Sequence, residues 1–253
     1  SAALIVLIGY DGSANVVEAP AAEIEPFETM DRTRRFARVP YVLRPDFESL
    51  LREVAAGHPV IVLQNLGLAW YERWHYAVVV GFDRDDDTVI LRSGRQERRV
   101  TSRSLFLRTW ERGDRWALAV LPPTRVPATA DELRYLEAVM PLERAGEQDA
   151  AQRAYTAAYE RWPTSLGALL GMGNTAYALG DKRQAEAHYR EATRAHPHAG
   201  IAFNNLAQVL AERGALKEAR TAIARAVQLG GPLAVQFLQT RKEIERLSTD
   251  ARR

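Results

Sequence analysis

The feature that most constrains the fold is a 34-residue period in the second half of the chain. Gly146, Gly180 and Gly214 are each 34 residues apart, and Pro163 and Pro197 keep the same step. Three further sets repeat at this distance: Ala151, Ala185 and Ala219; Tyr155, Tyr189 and Ile223; and Ala158, Ala192 and Ala226. Small residues at fixed positions let helices cross closely, and a single helix pair cannot bury its apolar stripe alone. The period therefore predicts a stack of helix pairs.

This pattern resembles the tetratricopeptide repeat, which has small residues at the helix crossing, an aromatic residue in the second helix and a closing proline. The spacing places three repeats at residues 132–163, 166–197 and 200–231, with a capping helix at Leu233–Leu247. The core between the helix layers is expected to contain Tyr135, Leu169, Met172, Phe203 and Leu206.

The resemblance implies a concave groove, lined by the first helix of each pair, that holds an extended peptide. The residues expected in this groove are Arg144, Asn174, Tyr177, Asn204 and Gln208. A second interpretation is that three repeats only extend or dimerise the protein, so an oligomer is possible.

The first half of the chain is organised around Pro59–Asp83. Two apolar runs, Pro59–Leu63 and Tyr76–Phe82, each have the length of one strand and predict buried neighbouring strands. The surrounding elements are expected to be the strands Val39–Leu43, Thr88–Arg92, Arg98–Thr101 and Trp116–Leu121, and the helices Phe27–Phe36, Asp46–Ala56 and Leu105–Arg112. The sequence therefore predicts a small antiparallel sheet accompanied by helices.

A single histidine, His75, stands where the second apolar run begins. One interpretation is a structural histidine at a strand end. The aromatic neighbours Trp70, Tyr71, Trp74 and Tyr76 favour a cleft, because a half-buried imidazole beside aromatic walls is a common way to build one.

The segments PVIVLQNL and WHYAVVVGFD resemble the second half of a papain-like cysteine peptidase of family 39, whose members remove double-glycine leader peptides. The resemblance covers residues 1–122 and implies an α+β papain-like fold. It also implies that His75 is the general acid and base, and that Gln64, Trp70 and Trp74 line the cleft.

Two departures from the family pattern bear on catalysis. The nucleophile of the family is a cysteine, but these 253 residues contain none. Ser1–Leu7 resembles the small-residue helix that follows that cysteine, so either the chain begins just after it or the lineage has lost it. Arg92 or Ser93 occupies the place of the third catalytic residue of the family, usually Asp or Asn, and neither is an obvious anionic partner for an imidazole. A thiolate, a histidine and an orienting partner are all needed for this chemistry, so this polypeptide is predicted to be inactive.

Composition excludes several other classes of function. The net charge is only +2, and the eight arginines between Arg92 and Arg115 are interpreted first as a solvated face and second as a site for an anionic partner. We expect no nucleic-acid partner, no membrane span, no metal site and no cofactor. The family resemblance alone suggests a bacterial periplasmic or membrane-attached envelope protein.

Pro122, Pro123 and Pro127 mark a change of composition. The expected domains are residues 1–122, a linker at 123–131 and the repeats with their cap at 132–248. Two functions follow. The first is a peptidase-like protein that binds peptide or protein substrates, with the repeats as its interaction module. The second is a non-catalytic peptide-binding adaptor in protein export or envelope assembly.

Overall fold

The computed structural model describes residues 2–8, 14–20, 30, 33, 34, 36–67 and 70–250. The chain divides into two compact units, residues 1–138 (unit 1) and residues 139–253 (unit 2). An α+β sheet region is followed by an all-α repeat region, as the sequence predicts. In the described part of the chain, no helix combines the length and the apolar character needed to cross a bilayer.

Unit 1 begins with two paired strands, β1 Ala2–Ile8 and β2 Ala14–Pro20, which run antiparallel. The helix expected at Ser1–Leu7 is therefore wrong. The run Leu4–Ile8 is short and rich in branched apolar residues, and periodicity cannot distinguish a strand from a buried helix over such a length. Branched side chains favour the strand. Of the helix expected near residues 27–36, Met30, Thr33 and Arg34 have helical backbone, and much of the rest lies outside the described residues.

The main sheet of unit 1 has six strands in the order β3-β8-β4-β5-β6-β7, and every neighbouring pair is antiparallel. The strands are β3 Val39–Val42, β4 Val60–Asn65, β5 Trp74–Asp83, β6 Thr88–Ser93, β7 Gln96–Ser102 and β8 Ala117–Leu121. Pro40 lies in the edge strand β3, where its missing N–H breaks no ladder inside the sheet.

Two helices, α1 Phe47–Ala55 and α2 Arg103–Glu111, pack on the sheet. Asp46 caps α1 by accepting a hydrogen bond of 2.7 Å from the backbone N–H of Ser49. Phe106 and Trp110 of α2 are fully buried and stack at 5.6 Å. The two helices contact strands β4 to β7.

The segment 123–131, which the sequence predicts to be a linker, is bonded to α1. The buried carboxylate of Glu53 accepts hydrogen bonds from the backbone N–H groups of Ala128 (3.1 Å) and Thr129 (2.6 Å) and from the Thr129 hydroxyl (2.6 Å). Nδ1 of His58 lies 2.7 Å from the same carboxylate. These contacts make residues 128 and 129 part of the packed structure of unit 1.

The helices that follow are α3 Glu132–Arg144, α4 Gln148–Arg161, α5 Leu166–Ala178, α6 Lys182–Ala195, α7 Gly200–Glu212, α8 Leu216–Leu229 and α9 Ala234–Asp250. Helix α3 begins in unit 1 and continues into unit 2. From α4 to α9 each helix packs on the next. Gly173 in α5 lies against the ring of Tyr189 in α6, so this glycine permits a close crossing of the two helices.

Candidate functional site

His75 is the second residue of β5 and pairs with Gln64 of β4 at the rim of the sheet. The ring is half-buried, and Nε2 lies 2.7 Å from Oγ of Ser93, the last residue of β6. The structure therefore brings together two residues that the sequence predicts for the catalytic site. Their roles stay a prediction.

The Ser93 contact leaves one imidazole nitrogen available. Among the described residues, Nδ1 of His75 has no hydrogen-bond partner. If the Ser93 hydroxyl donates to Nε2, Nδ1 carries the proton and is a donor; in the other tautomer Nδ1 is a basic acceptor. The site can thus give or take one hydrogen bond at the rim.

The surroundings of His75 favour the neutral ring. Burial lowers the pKa of His75, and the positive charges of Arg99 and Arg73 lower it further. Arg99 pairs with Leu91 in the ladder between β7 and β6, and Arg73 directly precedes β5. Sequence reasoning missed both residues. The arginine-rich stretch was the signal for Arg99, but only the strand register places it here.

Gln64, predicted to line the cleft, lies beneath α2. Its side chain is buried, and Nε2 donates a hydrogen bond of 2.7 Å to Oγ1 of Thr109, which in turn donates to the helix carbonyls of Leu105 and Phe106. The amide thus links α2 to β4.

Hydrogen bonds hold the base of the loop between β4 and β5. Oδ1 of Asn65 accepts hydrogen bonds of 2.9 Å from the backbone N–H groups of both Gly67 and Arg73. Nη1 of Arg112 donates to the carbonyl of Gly67 at 2.6 Å. Asn65 is a further residue that the sequence analysis missed. By holding Arg73, it fixes the point where the chain enters β5.

The two tryptophans predicted for the cleft are both exposed. Trp70 is 83% exposed, and its ring is tilted by 50° against that of Tyr71 with 6.3 Å between the ring centres. Trp74 precedes His75 in the strand, so the two side chains project from opposite faces. Trp74 Nε1 donates to Glu72 at 3.2 Å. The imidazole of His75 is thus hydrogen-bonded to Ser93, whereas the indole of Trp74 is hydrogen-bonded to Glu72.

The residues predicted for the groove of unit 2 differ in exposure. Arg144, Asn174, Tyr177 and Gln208 are exposed, whereas Asn204 is fully buried. Oδ1 of Asn174 accepts hydrogen bonds from Tyr189 Oη at 2.8 Å and from Nδ2 of Asn205 at 3.4 Å. Asn205, which the sequence analysis missed, helps to fix this exposed amide.

A second polar group in unit 2 consists of Tyr177, Lys182 and Glu212. Tyr177 Oη donates to Glu212 at 2.5 Å, and Nζ of Lys182 pairs with the same carboxylate at 2.8 Å. Burial by itself raises the pKa of Glu212, but the bonds from Lys182 and Tyr177 outweigh it and the pKa is lowered. In the described part of the chain, no group of three or more His, Cys, Asp or Glu side chains could hold a metal ion.

Comparison with known proteins identifies two regions of the chain. Residues 22–116 match the Peptidase_C39 like family, and residues 170–234 match the tetratricopeptide repeat. No curated protein matches the chain.

Several solved structures resemble part of the chain. PcrH from Pseudomonas aeruginosa is 19% identical, with 45% of this chain and 91% of that chain covered and a TM-score of 0.43. The type III secretion translocator chaperone SycD of Yersinia enterocolitica is 15% identical, with 52% and 99% covered and a TM-score of 0.46. The first TPR of Spaghetti (RPAP3), bound to an HSP90 peptide, is 17% identical, with 47% and 93% covered and a TM-score of 0.43.

The chain therefore carries a region of the Peptidase_C39 like family followed by a tetratricopeptide repeat, in the order that its sequence predicts.

Proposed function

We propose that this protein binds peptide segments and that the exposed face of the first helices in unit 2 is its principal binding surface. The observation that carries the proposal is the orientation of Asn174. Because Oδ1 already accepts hydrogen bonds from Tyr189 and Asn205, Nδ2 is an oriented donor, and no described residue bonds to it. A side chain fixed before binding loses little rotamer entropy when a ligand arrives.

Other side chains on these helices suit an extended peptide, whose backbone offers alternating carbonyls and N–H groups. Gln208 is exposed, and its amide makes one long contact of 3.4 Å with Oγ1 of Thr240. Tyr177 is 40% exposed, and its hydroxyl donates a hydrogen bond to Glu212. Donors, acceptors and an aromatic surface therefore lie along one side of the repeats.

The experiment is a selection of random decapeptides on the full chain, followed by fluorescence anisotropy with the selected peptides. We expect Asn174→Ala to weaken binding by about tenfold, since a buried hydrogen bond to a ligand carbonyl contributes on the order of 1 kcal/mol or more. The matched control is Gln228→Ala, which removes an exposed amide from the second-helix surface of α8.

Selected peptides that bind the wild type and the control equally well but lose affinity for Asn174→Ala support the proposal. Equal affinity for all three proteins would show that the peptide binds at a surface other than the one around Asn174. Failure to select any peptide would refute the proposal that the protein binds peptides.

For unit 1 we propose that it binds a peptide without cleaving it. By resemblance, Arg92 or Ser93 occupies the position where the family has an acid or amide, and these 253 residues supply no thiolate. The rim around His75 retains hydrogen-bonding and charged groups that suit a ligand.

A second candidate is a cysteine peptidase whose nucleophile lies outside these residues. It is favoured by the available Nδ1 of His75, which a thiol could approach while Ser93 holds Nε2. Sequencing and intact mass of the natural gene product decide it: a cysteine at the nucleophile position of the family supports the peptidase, and a different residue there rules it out.

A further inference from the structure

The rim around His75 carries positive charge that the described part of the chain does not neutralise. Arg103 and Arg115 pair with Asp87 and Glu111. By contrast, neither Arg73 nor Arg99 has an acidic partner among the described residues. The rim is therefore a place where two guanidinium groups remain free to bind an anion.

Strand register brings these charges to the face of His75. Ser93 and Leu91 lie on the buried face of β6, and Arg99 pairs with Leu91 across the ladder, so Arg99 projects from that same face. Arg73 precedes His75 by two residues, so in extended backbone it shares the face as well. Arg73 is exposed and Arg99 is half-buried, so one charge is reachable and the other is partly shielded from water.

A neutral imidazole adds a directed hydrogen bond to this charge. When Nε2 of His75 accepts from the Ser93 hydroxyl, Nδ1–H is a donor at the rim. Burial and the two arginines disfavour the imidazolium, so the ring acts through this N–H and not through a charge. The N–H groups of two guanidinium groups and one imidazole ring are suited to donate hydrogen bonds to the two oxygens of a carboxylate.

We propose that Arg73, His75 and Arg99 form a carboxylate-binding rim that recognises the carboxylate of a bound peptide. This inference rests on the proposed role of unit 1 in peptide binding. The carboxylate is either the free C-terminus of the peptide or an Asp or Glu side chain.

The test follows the ring nitrogens of His75 by NMR in the full chain labelled with 15N-histidine, assigned by comparison with His75→Gln. Three small probes are titrated: N-acetylglycine, which carries an α-carboxylate; the α-amide of N-acetylaspartate, which carries only a side-chain carboxylate; and N-acetylglycinamide, which carries none. We expect a saturable shift from at least one carboxylate and none from N-acetylglycinamide. The probe that shifts the resonance at lower concentration identifies the source of the carboxylate.

Matched variants of neighbouring arginines separate this site from general positive charge. Arg99→Gln and Arg73→Gln are each expected to weaken carboxylate binding by about fivefold or more, because each removes a charge-assisted hydrogen bond that solvent partly screens. Arg98→Gln should have no effect, because the strand alternation directs Arg98 to the opposite face. The melting temperature of each variant verifies that it is folded.

Several outcomes would overturn the inference. An equal shift from N-acetylglycinamide shows peptide-group binding without carboxylate recognition and leaves the proposed function standing. An equal loss in Arg98→Gln, or an equal shift with inorganic phosphate, reduces the site to general anion attraction. If no probe shifts His75 while decapeptides bind unit 2, only the rim proposal fails; if the decapeptides also fail, the proposed function fails separately.

Discussion

Nδ1 of His58 lies 2.7 Å from the carboxylate of Glu53, and both side chains are buried beneath the segment that leads into α3. The carboxylate has four donors or partners in this position, counting His58, Ala128 N–H and both groups of Thr129. A buried charge is tolerated only when its oxygens are satisfied in this way.

Glu53→Gln should destabilise unit 1 by about 3 kcal/mol, because the amide NH₂ faces donors and leaves them unpaired. The measurement is chemical unfolding monitored by tryptophan fluorescence. Glu48→Gln is the control, since Glu48 lies on the same helix but is exposed. Equal stability of the two variants would contradict the role of the Glu53 network.

The same network predicts acid sensitivity. Burial by itself raises the pKa of Glu53, but the bonds from His58, Thr129 and Ala128 outweigh it and the pKa is lowered from 4.5. A carboxylate with a lowered pKa contributes stability that is present above the unfolded pKa and is lost as the pH falls through the folded pKa. We expect the wild type to lose stability below about pH 4.5, and Glu53→Gln to show a shallower loss.

His75 should titrate below the ordinary histidine pKa of 6.5, because of burial first and then the charges of Arg99 and Arg73. Its contribution to stability is therefore complete above pH 6.5 and declines as the pH falls through its lowered pKa. Histidine NMR titration measures the shift directly. Arg99→Gln should raise the pKa of His75, whereas Arg98→Gln should leave it unchanged. A pKa that is the same in all three proteins would show that Arg99 does not act on the ring.

The close crossing of α5 and α6 predicts that Gly173→Ala destabilises unit 2. A Cβ at this position would overlap the ring of Tyr189, and overpacking of this kind costs about 1–3 kcal/mol, more than the gain of at most about 1 kcal/mol in helix propensity. Thermal unfolding by circular dichroism measures the effect. The double variant Gly173→Ala/Tyr189→Leu, which removes the ring, should recover part of the loss. A single variant as stable as the wild type would show that the helices can separate without cost.

The purified 253-residue chain should not hydrolyse peptides. Ser93 is 9% exposed and its hydroxyl is hydrogen-bonded to His75, so it orients the ring rather than facing a substrate. Mass spectrometry of a peptide mixture after incubation measures turnover, with His75→Gln as the control. Cleavage by the wild type that the control lacks would make Ser93 or another hydroxyl the candidate nucleophile.

The sequence predicts those features that depend on local periodicity. The 34-residue period placed the helices of unit 2, and the apolar runs around His75 placed β4 and β5. The strand at Ala2–Ile8 was missed because five consecutive apolar residues fit either a strand or a buried helix. Local pattern alone does not resolve such a segment.

The site is less predictable because it depends on long-range pairing. Gln64 is buried through a bond to Thr109, which is 45 residues away in the sequence. Arg99 reaches the face of His75 only through the register of β7 with β6. No local feature distinguishes Arg99 from Arg98, although strand alternation directs them to opposite faces.

The bonds from Glu53 to Ala128 and Thr129 also determine where unit 1 can be cut. A fragment that ends at the proline cluster of residues 122–127 would leave the Glu53 carboxylate without three of its donors. A gene fragment designed for unit 1 should therefore extend through residue 138, and a protease should cleave slowly at residues 128 and 129 even though their composition resembles a spacer.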